Sequence, residues 1–169
     1  MLLYHPFFDA HHCVFRMLQL LEKTGQVEVE VERFRLWDFY VLFPAALGEA
    51  QLPQGGSRGI RSLVRKLENR YEVLPDARHL FSRLEPMQTS ALAHLSSIGI
   101  INAERLVEGA VLRTTLQIPE ELSDLIRRRN AESSGILEFL TTTFLTLPLF
   151  GKGGVRVRTD LFDHRYDIP

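Results

Sequence analysis

The chain has 169 residues, a net charge of −1 and 45% apolar residues, a balance typical of a globular protein with its own core. The near-neutral charge argues against a strongly cationic nucleic-acid coat and against a polybasic membrane protein. A single cysteine, Cys13, excludes an internal disulfide and fits a reducing cytosol. Because we find neither a signal peptide nor an apolar run long enough to span a bilayer, we expect a cytoplasmic protein. We expect one domain over residues 1–169.

The first predicted helix covers residues 9–22, where apolar side chains recur at helical spacing. Asp9 is a suitable N-cap for this helix, and Gly25 is a suitable stop. Valine and glutamate alternate over residues 27–32, which indicates either a short strand or the acidic start of a helix.

The next predicted helix, over residues 36–47, is apolar nearly all round and is therefore expected at the centre of the core. Pro44 should bend or end it, because proline lacks a backbone donor. Four aromatic residues are expected in the core rather than on a binding surface: Trp37, Phe39, Tyr40 and Phe43. A buried Asp38 would require a partner. Three arginines are candidates for that partner: Arg16, Arg33 and Arg35.

The middle of the chain predicts a loop followed by helices. Glycine and proline mark the loop over residues 48–59, and an amphipathic helix follows over 60–70. A short helix is expected over 76–84. Pro86 then begins a new unit, in which a helix over 87–98 is closed by glycine.

The pattern of apolar residues changes after the predicted helix at 87–98. Residues 100–107 and 110–116 predict two strands joined by a tight hairpin turn. A helix, a glycine stop and a hairpin resemble the second half of a winged helix-turn-helix. The predicted fold class is therefore mainly α with a small β-hairpin (α+β), a winged helix-turn-helix-like domain with flanking helices. A C-terminal helical extension is expected over 118–150 and a strand-like tail over 151–169.

Catalytic chemistry finds little support in the residues. His11, His12 and Cys13, with His5 nearby, invite a metal site, but adjacent helical residues point in different directions and no second cysteine pair exists. Cys13 lacks an orienting base for nucleophilic catalysis. The glycines around Lys152 do not have the spacing of a phosphate-binding loop. We therefore predict no enzyme, no bound cofactor and no metal.

Two clusters of basic residues are candidate contacts for DNA or a protein partner. They comprise Arg58, Arg61, Arg65, Lys66 and Arg70, and the run Arg127, Arg128 and Arg129. Such residues can meet phosphates, meet an acidic coiled coil, or remain simply solvated. The predicted helix 87–98 offers a polar face without lysine or arginine, which favours protein binding over base reading. That face is Gln88, Thr89, Ser90, His94, Ser96 and Ser97.

Short aromatic and proline-containing strings suggest a family. They are Tyr4-His5-Pro6, Asp9-Ala10-His11-His12, Phe15-Arg16, Leu36-Trp37-Asp38-Phe39-Tyr40, Phe43-Pro44, Arg158-Thr159-Asp160-Leu161-Phe162 and Arg165-Tyr166-Asp167. In these strings the chain resembles the middle-component subunits of bacterial ABC-three-component systems, which include Lamassu-type defence operons. The resemblance implies a winged-helix-like adaptor, not an enzyme, encoded between an SMC/Rad50-like ABC ATPase and an effector that is often a nuclease.

The leading hypothesis is a non-catalytic subunit of an ATP-driven anti-phage or anti-plasmid complex. It would dock on the ATPase and hold the effector inactive until foreign DNA is sensed. DNA contact would occur through the complex, and no membrane contact is expected. The acidic stretch 28–32 also fits a protein-facing adaptor. The alternative is a stand-alone winged-helix DNA-binding transcriptional regulator, and a small metal-dependent enzyme is a third reading.

Overall fold

The computed structural model describes residues 9–55, 57–67 and 76–162, which form eight α-helices and two short strands. The helices are α1 (Ala10–Thr24), α2 (Val31–Leu42), α3 (Arg58–Leu67), α4 (Ala77–Ser97), α5 (Ala103–Val107), α6 (Glu120–Glu132), α7 (Ser134–Thr141) and α8 (Val155–Thr159), and the strands are β1 (Val29–Glu30) and β2 (Ala110–Val111). The predicted α+β class is confirmed. None of the helices in these ranges is long and apolar enough to cross a membrane.

Helix α1 is bounded by the predicted cap and stop residues, Asp9 and Gly25, although it ends at Thr24, two residues after the predicted end at 22. The Asp9 carboxylate accepts hydrogen bonds from the backbone N–H groups of His11 (2.8 Å) and His12 (3.1 Å), which satisfies two free donors of the first turn. Gly25 ends the helix with a φ of 56°, a conformation that favours glycine. The alternating segment 27–32 contains both predicted structures, because β1 leads directly into α2.

Helix α2 forms the centre of the core, as its sequence predicts, although its bounds differ. It begins at Val31, five residues before the predicted start at 36, and residues 33–40 are all buried. The helix ends at Leu42, and Pro44 opens a 3-10 helix, Pro44–Gly48. The four aromatic residues lie in the core as predicted, with exposures of 0% for Trp37, 0% for Phe39, 1% for Tyr40 and 8% for Phe43.

Helix α4 replaces two predicted helices. Residues 77–97 form a single helix that continues through Pro86, so the predicted break there is wrong. The proline removes one backbone hydrogen bond, but its ring lies on the exposed side. Leu84 and Gln88 are buried on either side of it, and packing of this shared face offsets the local loss.

The predicted hairpin is wrong over most of its first strand. Residues 103–107 form α5, and the Asn102 side chain caps it by accepting a hydrogen bond from the Arg105 backbone N–H (3.0 Å). Within the described residues, the hairpin is reduced to an isolated antiparallel bridge between Ile101 and Arg113 and its flanking backbone bonds. β2 pairs antiparallel with β1, with Val111 opposite Val29, so the sheet joins distant parts of the chain.

The C-terminal part is helical where a strand-like tail was expected. Residues 155–159 form α8, in which Val155, Arg156 and Thr159 are buried at one-turn spacing. Residues 163–169 of the predicted tail lie outside the described residues. The predicted extension 118–150 contains two helices, α6, which starts just after Pro119, and α7. Both helices pack against α1.

Candidate partner-binding surface

A buried polar network joins α1, α2 and α4. The Arg16 guanidinium donates to both oxygens of the Asp38 carboxylate, at 2.7 Å and 3.3 Å. Gln88 Nε2 donates to the Asp38 Oδ2 atom at 2.8 Å, and its Oε1 atom accepts from Arg35 Nε at 3.0 Å. Arg16 is therefore the direct partner of Asp38. The network is satisfied from within the chain, which makes it a structural feature rather than a reactive site.

Gln88 corrects one prediction about the helix 87–98. It is 0% exposed, although it was expected on the polar outer face. Thr89, Ser90, His94 and Ser97 are exposed, and Ser96 is half-buried. Ile98, just after the last residue of α4, is 50% exposed. The exposed polar side chains of residues 87–98 are therefore hydroxyl groups and one imidazole, and this part of α4 has no lysine or arginine that would contact phosphate.

Cys13, His11 and His12, near the start of α1, do not face a common site. Cys13 is fully buried, whereas His11 and His12 are exposed. Burial raises the pKa of the Cys13 thiol to about 12, with a further contribution from Asp38, so a thiolate nucleophile is disfavoured. His5 lies outside the described residues, which contain no group of three or more His, Cys, Asp or Glu side chains that could hold a metal ion.

The acidic stretch 28–32 is neutralised within the chain. Three ion pairs account for its carboxylates: Glu28 with Arg105 (3.3 Å), Glu30 with Arg33 (2.8 Å) and Glu32 with Arg156. The hydrogen bond from Arg33 lowers the pKa of Glu30 below its ordinary value. This stretch therefore gives little support to an acidic partner surface.

A cleft of about 390 Å³ lies beside the first turns of α4. Its arginines are paired with carboxylates: Arg35 with Glu85 (3.2 Å) and Arg78 with Asp160 (2.7 Å). Because the charges within each pair neutralise one another, we assign no catalytic role to the two arginines of this cleft.

The basic residues of α3 form an exposed cationic face. Arg58, Arg61, Arg65 and Lys66 are all exposed, while Ile60 and Val64 on the other side of the helix are buried. The ten residues of α3 contain no acidic side chain. Across the described ranges, none of the four cations has an ion-pair or side-chain hydrogen-bond partner. Arg70, predicted to belong to the same cluster, lies outside those ranges.

The basic run on α6 is different, although its sequence predicts a similar patch. Arg127 pairs with Asp124, and Arg129 pairs with Glu132 at 3.0 Å. Arg128 is exposed, with no ion pair to another described residue. The same helix also carries two acidic residues in its first turn, Glu120 and Glu121. Its three arginines are thus balanced by four carboxylates, and α6 is not a cationic face.

Ion pairing elsewhere makes the α3 face stand out. Eight arginines of the described residues are in ion pairs: Arg16, Arg33, Arg35, Arg78, Arg105, Arg127, Arg129 and Arg156. Sequence spacing identifies only some of these paired arginines, because five of the nine ion pairs join residues more than 20 positions apart. The four cations of α3 therefore carry charge that no ion pair with another described residue neutralises.

A family model described as ABC-three component (ABC-3C) system Middle Component 5 matches residues 2–167 of the chain. No curated protein and no solved structure shows a significant match. The family match spans nearly the whole sequence and confirms the resemblance at the level of a middle component. The chain therefore belongs to the Middle Component 5 family of ABC-three component systems, whose members are adaptors within a multi-component system.

Proposed function

We propose that this protein is a non-catalytic adaptor that bridges an SMC/Rad50-like ABC ATPase and an effector, such as a nuclease, of a Lamassu-type defence system. In this role it restrains the effector until foreign DNA is sensed, and it works in the cytoplasm. The family match supports the adaptor role, because a middle component acts together with the other components of its system.

The exposed, unpaired charge of α3 carries this proposal. An adaptor works through its surface, and Arg58, Arg61, Arg65 and Lys66 are exposed cations without a described ion-pair partner. Charged groups that are free in the isolated chain guide association and fix the orientation of a partner. We assign the first contact to this face and leave α6, whose arginines are balanced, a minor role.

The arrangement of the sheet supports a winged-helix-like core for this adaptor. In the chain, β1 lies between α1 and α2, and its partner β2 follows the long helix α4 and the short helix α5. Arg113, two residues after β2, forms an antiparallel bridge with Ile101, which follows α4. Both strands pack against α2, and α1, α2 and α4 pack against one another. These three helices and the sheet form the winged-helix-like core that we propose for the domain.

Co-expression with the products of the neighbouring genes tests the adaptor role. We expect affinity purification of this chain to retain a large SMC-like ATPase in a complex of defined mass. A chain that purifies alone under every condition would refute the proposal. If that isolated chain also bound DNA in a salt-dependent manner, the stand-alone regulator would replace it.

A further inference from the structure

We propose that the cationic face of α3 docks onto an acidic helix of another component of the same system. The inference rests on the proposed adaptor function and adds the chemistry of the partner surface. Arg58, Arg61, Arg65 and Lys66 provide four positive charges that no described carboxylate neutralises. A partner with matching negative charges would form ion pairs that these cations lack within the described part of the chain.

The spacing of the arginines fits a helix. Arg58, Arg61 and Arg65 stand at positions i, i+3 and i+7 of α3, so they share one face. At about 1.5 Å per residue this stripe is about 10.5 Å long. Carboxylates at positions i, i+3 and i+7 of a partner helix would form a stripe of the same length. Each guanidinium group could then form a bidentate ion pair with one carboxylate.

The α3 face is held in place before any partner binds. Ile60 and Val64 bury the opposite side, and the helix packs against the 3-10 helix Pro44–Gly48 and α7. At Gly135 of α7, an added Cβ would lie 2.6 Å from the Leu63 Cδ2 atom, so the two helices approach closely. A pre-positioned row of arginines loses less conformational freedom on binding than a mobile one.

The overall charge favours a protein helix over DNA. The chain has a net charge of −1, so subtracting the four cations of α3 leaves −5 on the rest. The negative charge of the rest of the chain would repel a long polyanion such as DNA. A short acidic helix would contact the α3 face alone and would be repelled less. Four cations also neutralise at most about four phosphates, fewer than the roughly six to ten contacts of proteins with strongly salt-dependent DNA binding.

Charge reversal in the assembled complex tests the inference. We expect the double variant Arg61→Glu/Arg65→Glu to lower the affinity of the chain for its partner component by about tenfold or more, equivalent to about 1.4 kcal/mol. The milder Arg61→Gln/Arg65→Gln should show a smaller loss in the same direction. Both residues are exposed, so circular dichroism and thermal melting should show an unchanged fold.

A matched control has the same change in charge at another place. Lys23 and Lys152 are exposed and lie in α1 and in the loop before α8. The variant Lys23→Glu/Lys152→Glu should assemble with close to the affinity of the unmodified chain. Equal losses in both double variants would indicate a general effect of charge and would overturn the assignment to α3.

The remaining outcomes separate this inference from the adaptor role. Normal assembly of Arg61→Glu/Arg65→Glu would overturn the α3 assignment and leave the adaptor intact. Failure of the unmodified chain to bind any other component would refute the adaptor role itself. A short DNA duplex of mixed sequence, titrated at about 50 mM and about 200 mM salt, provides the last arm. If the variant lost duplex binding while assembling normally, α3 would be a phosphate-binding face and our inference would be wrong.

Discussion

Replacing Asp38 with asparagine tests the strength of the buried network around α2. Asp38 is 0% exposed and accepts hydrogen bonds from Arg16 at 2.7 Å and from Gln88 at 2.8 Å. Asparagine has nearly the same shape, but it carries no charge and turns one acceptor into a donor. In the variant, Arg16, which is 7% exposed, would remain buried without a carboxylate beside it.

The expected loss of stability is large because one partner of a buried pair is removed. Breaking such a pair costs about 3–5 kcal/mol, mostly through the remaining uncompensated charge. Asparagine retains one acceptor for the Arg16 guanidinium, so we expect a value near the lower limit, about 3 kcal/mol. With a urea dependence of about 2 kcal/mol per M, the unfolding midpoint should fall by about 1.5 M.

Urea unfolding followed by circular dichroism measures this change. The matched control is Arg127→Gln, which removes a pair with Asp124 whose side chains are 58% and 54% exposed. Exposed pairs contribute roughly 0–1 kcal/mol, so the control midpoint should move by less than about 0.5 M. The reasoning fails if Asp38→Asn shifts the midpoint no more than the control does. Adding Arg16→Met to Asp38→Asn should cost less than the sum of the single changes, since the two residues are coupled.

Three further predictions follow from individual residues. The hydrogen bond from Arg33 lowers the pKa of Glu30, so this pair stabilises the fold at neutral pH, and the stabilisation is lost as pH falls through the acidic range. In urea titrations, Glu30→Gln should lower the free energy of unfolding by roughly 0.2–1 kcal/mol at pH 7 and by less at acidic pH. Cys13 has a pKa raised to about 12 from 9.0, so stability should fall as pH rises through this interval, and a thiol reagent should modify it at the rate of unfolding rather than at that of an exposed thiol. At Gly154 an added Cβ would lie 2.5 Å from a backbone carbonyl oxygen, whereas at Gly153 its nearest neighbour is 3.8 Å away. Gly154→Ala should therefore lower the melting temperature clearly more than Gly153→Ala, and equal effects would contradict the tight packing at this loop.

Short-range rules worked where a few neighbouring residues decide the structure. Asp9 and Gly25 bound α1 as predicted, and Pro44 ended α2, because capping and proline geometry depend on local backbone groups. The same reasoning failed at Pro86, where burial on both sides keeps α4 continuous. The prediction of a strand over residues 100–107 was also wrong for most of that segment, because a short run of apolar residues is compatible with either a strand or a helix.

The amino-acid sequence by itself determined the helical character, the central place of the aromatic helix and, through its family strings, the class of protein. The tertiary structure decided which charges are free. Asp38 found its partner in Arg16 rather than in its neighbours on α2, and the carboxylates of 28–32 found arginines from three places in the chain. Ion pairs form wherever folding brings two side chains within about 4 Å, a distance unrelated to sequence separation. The pairs of α6 are local, because each arginine and its carboxylate stand three positions apart in the same helix. For α3, which has no acidic residue of its own, only the folded chain shows that no described carboxylate from elsewhere forms an ion pair with its cations.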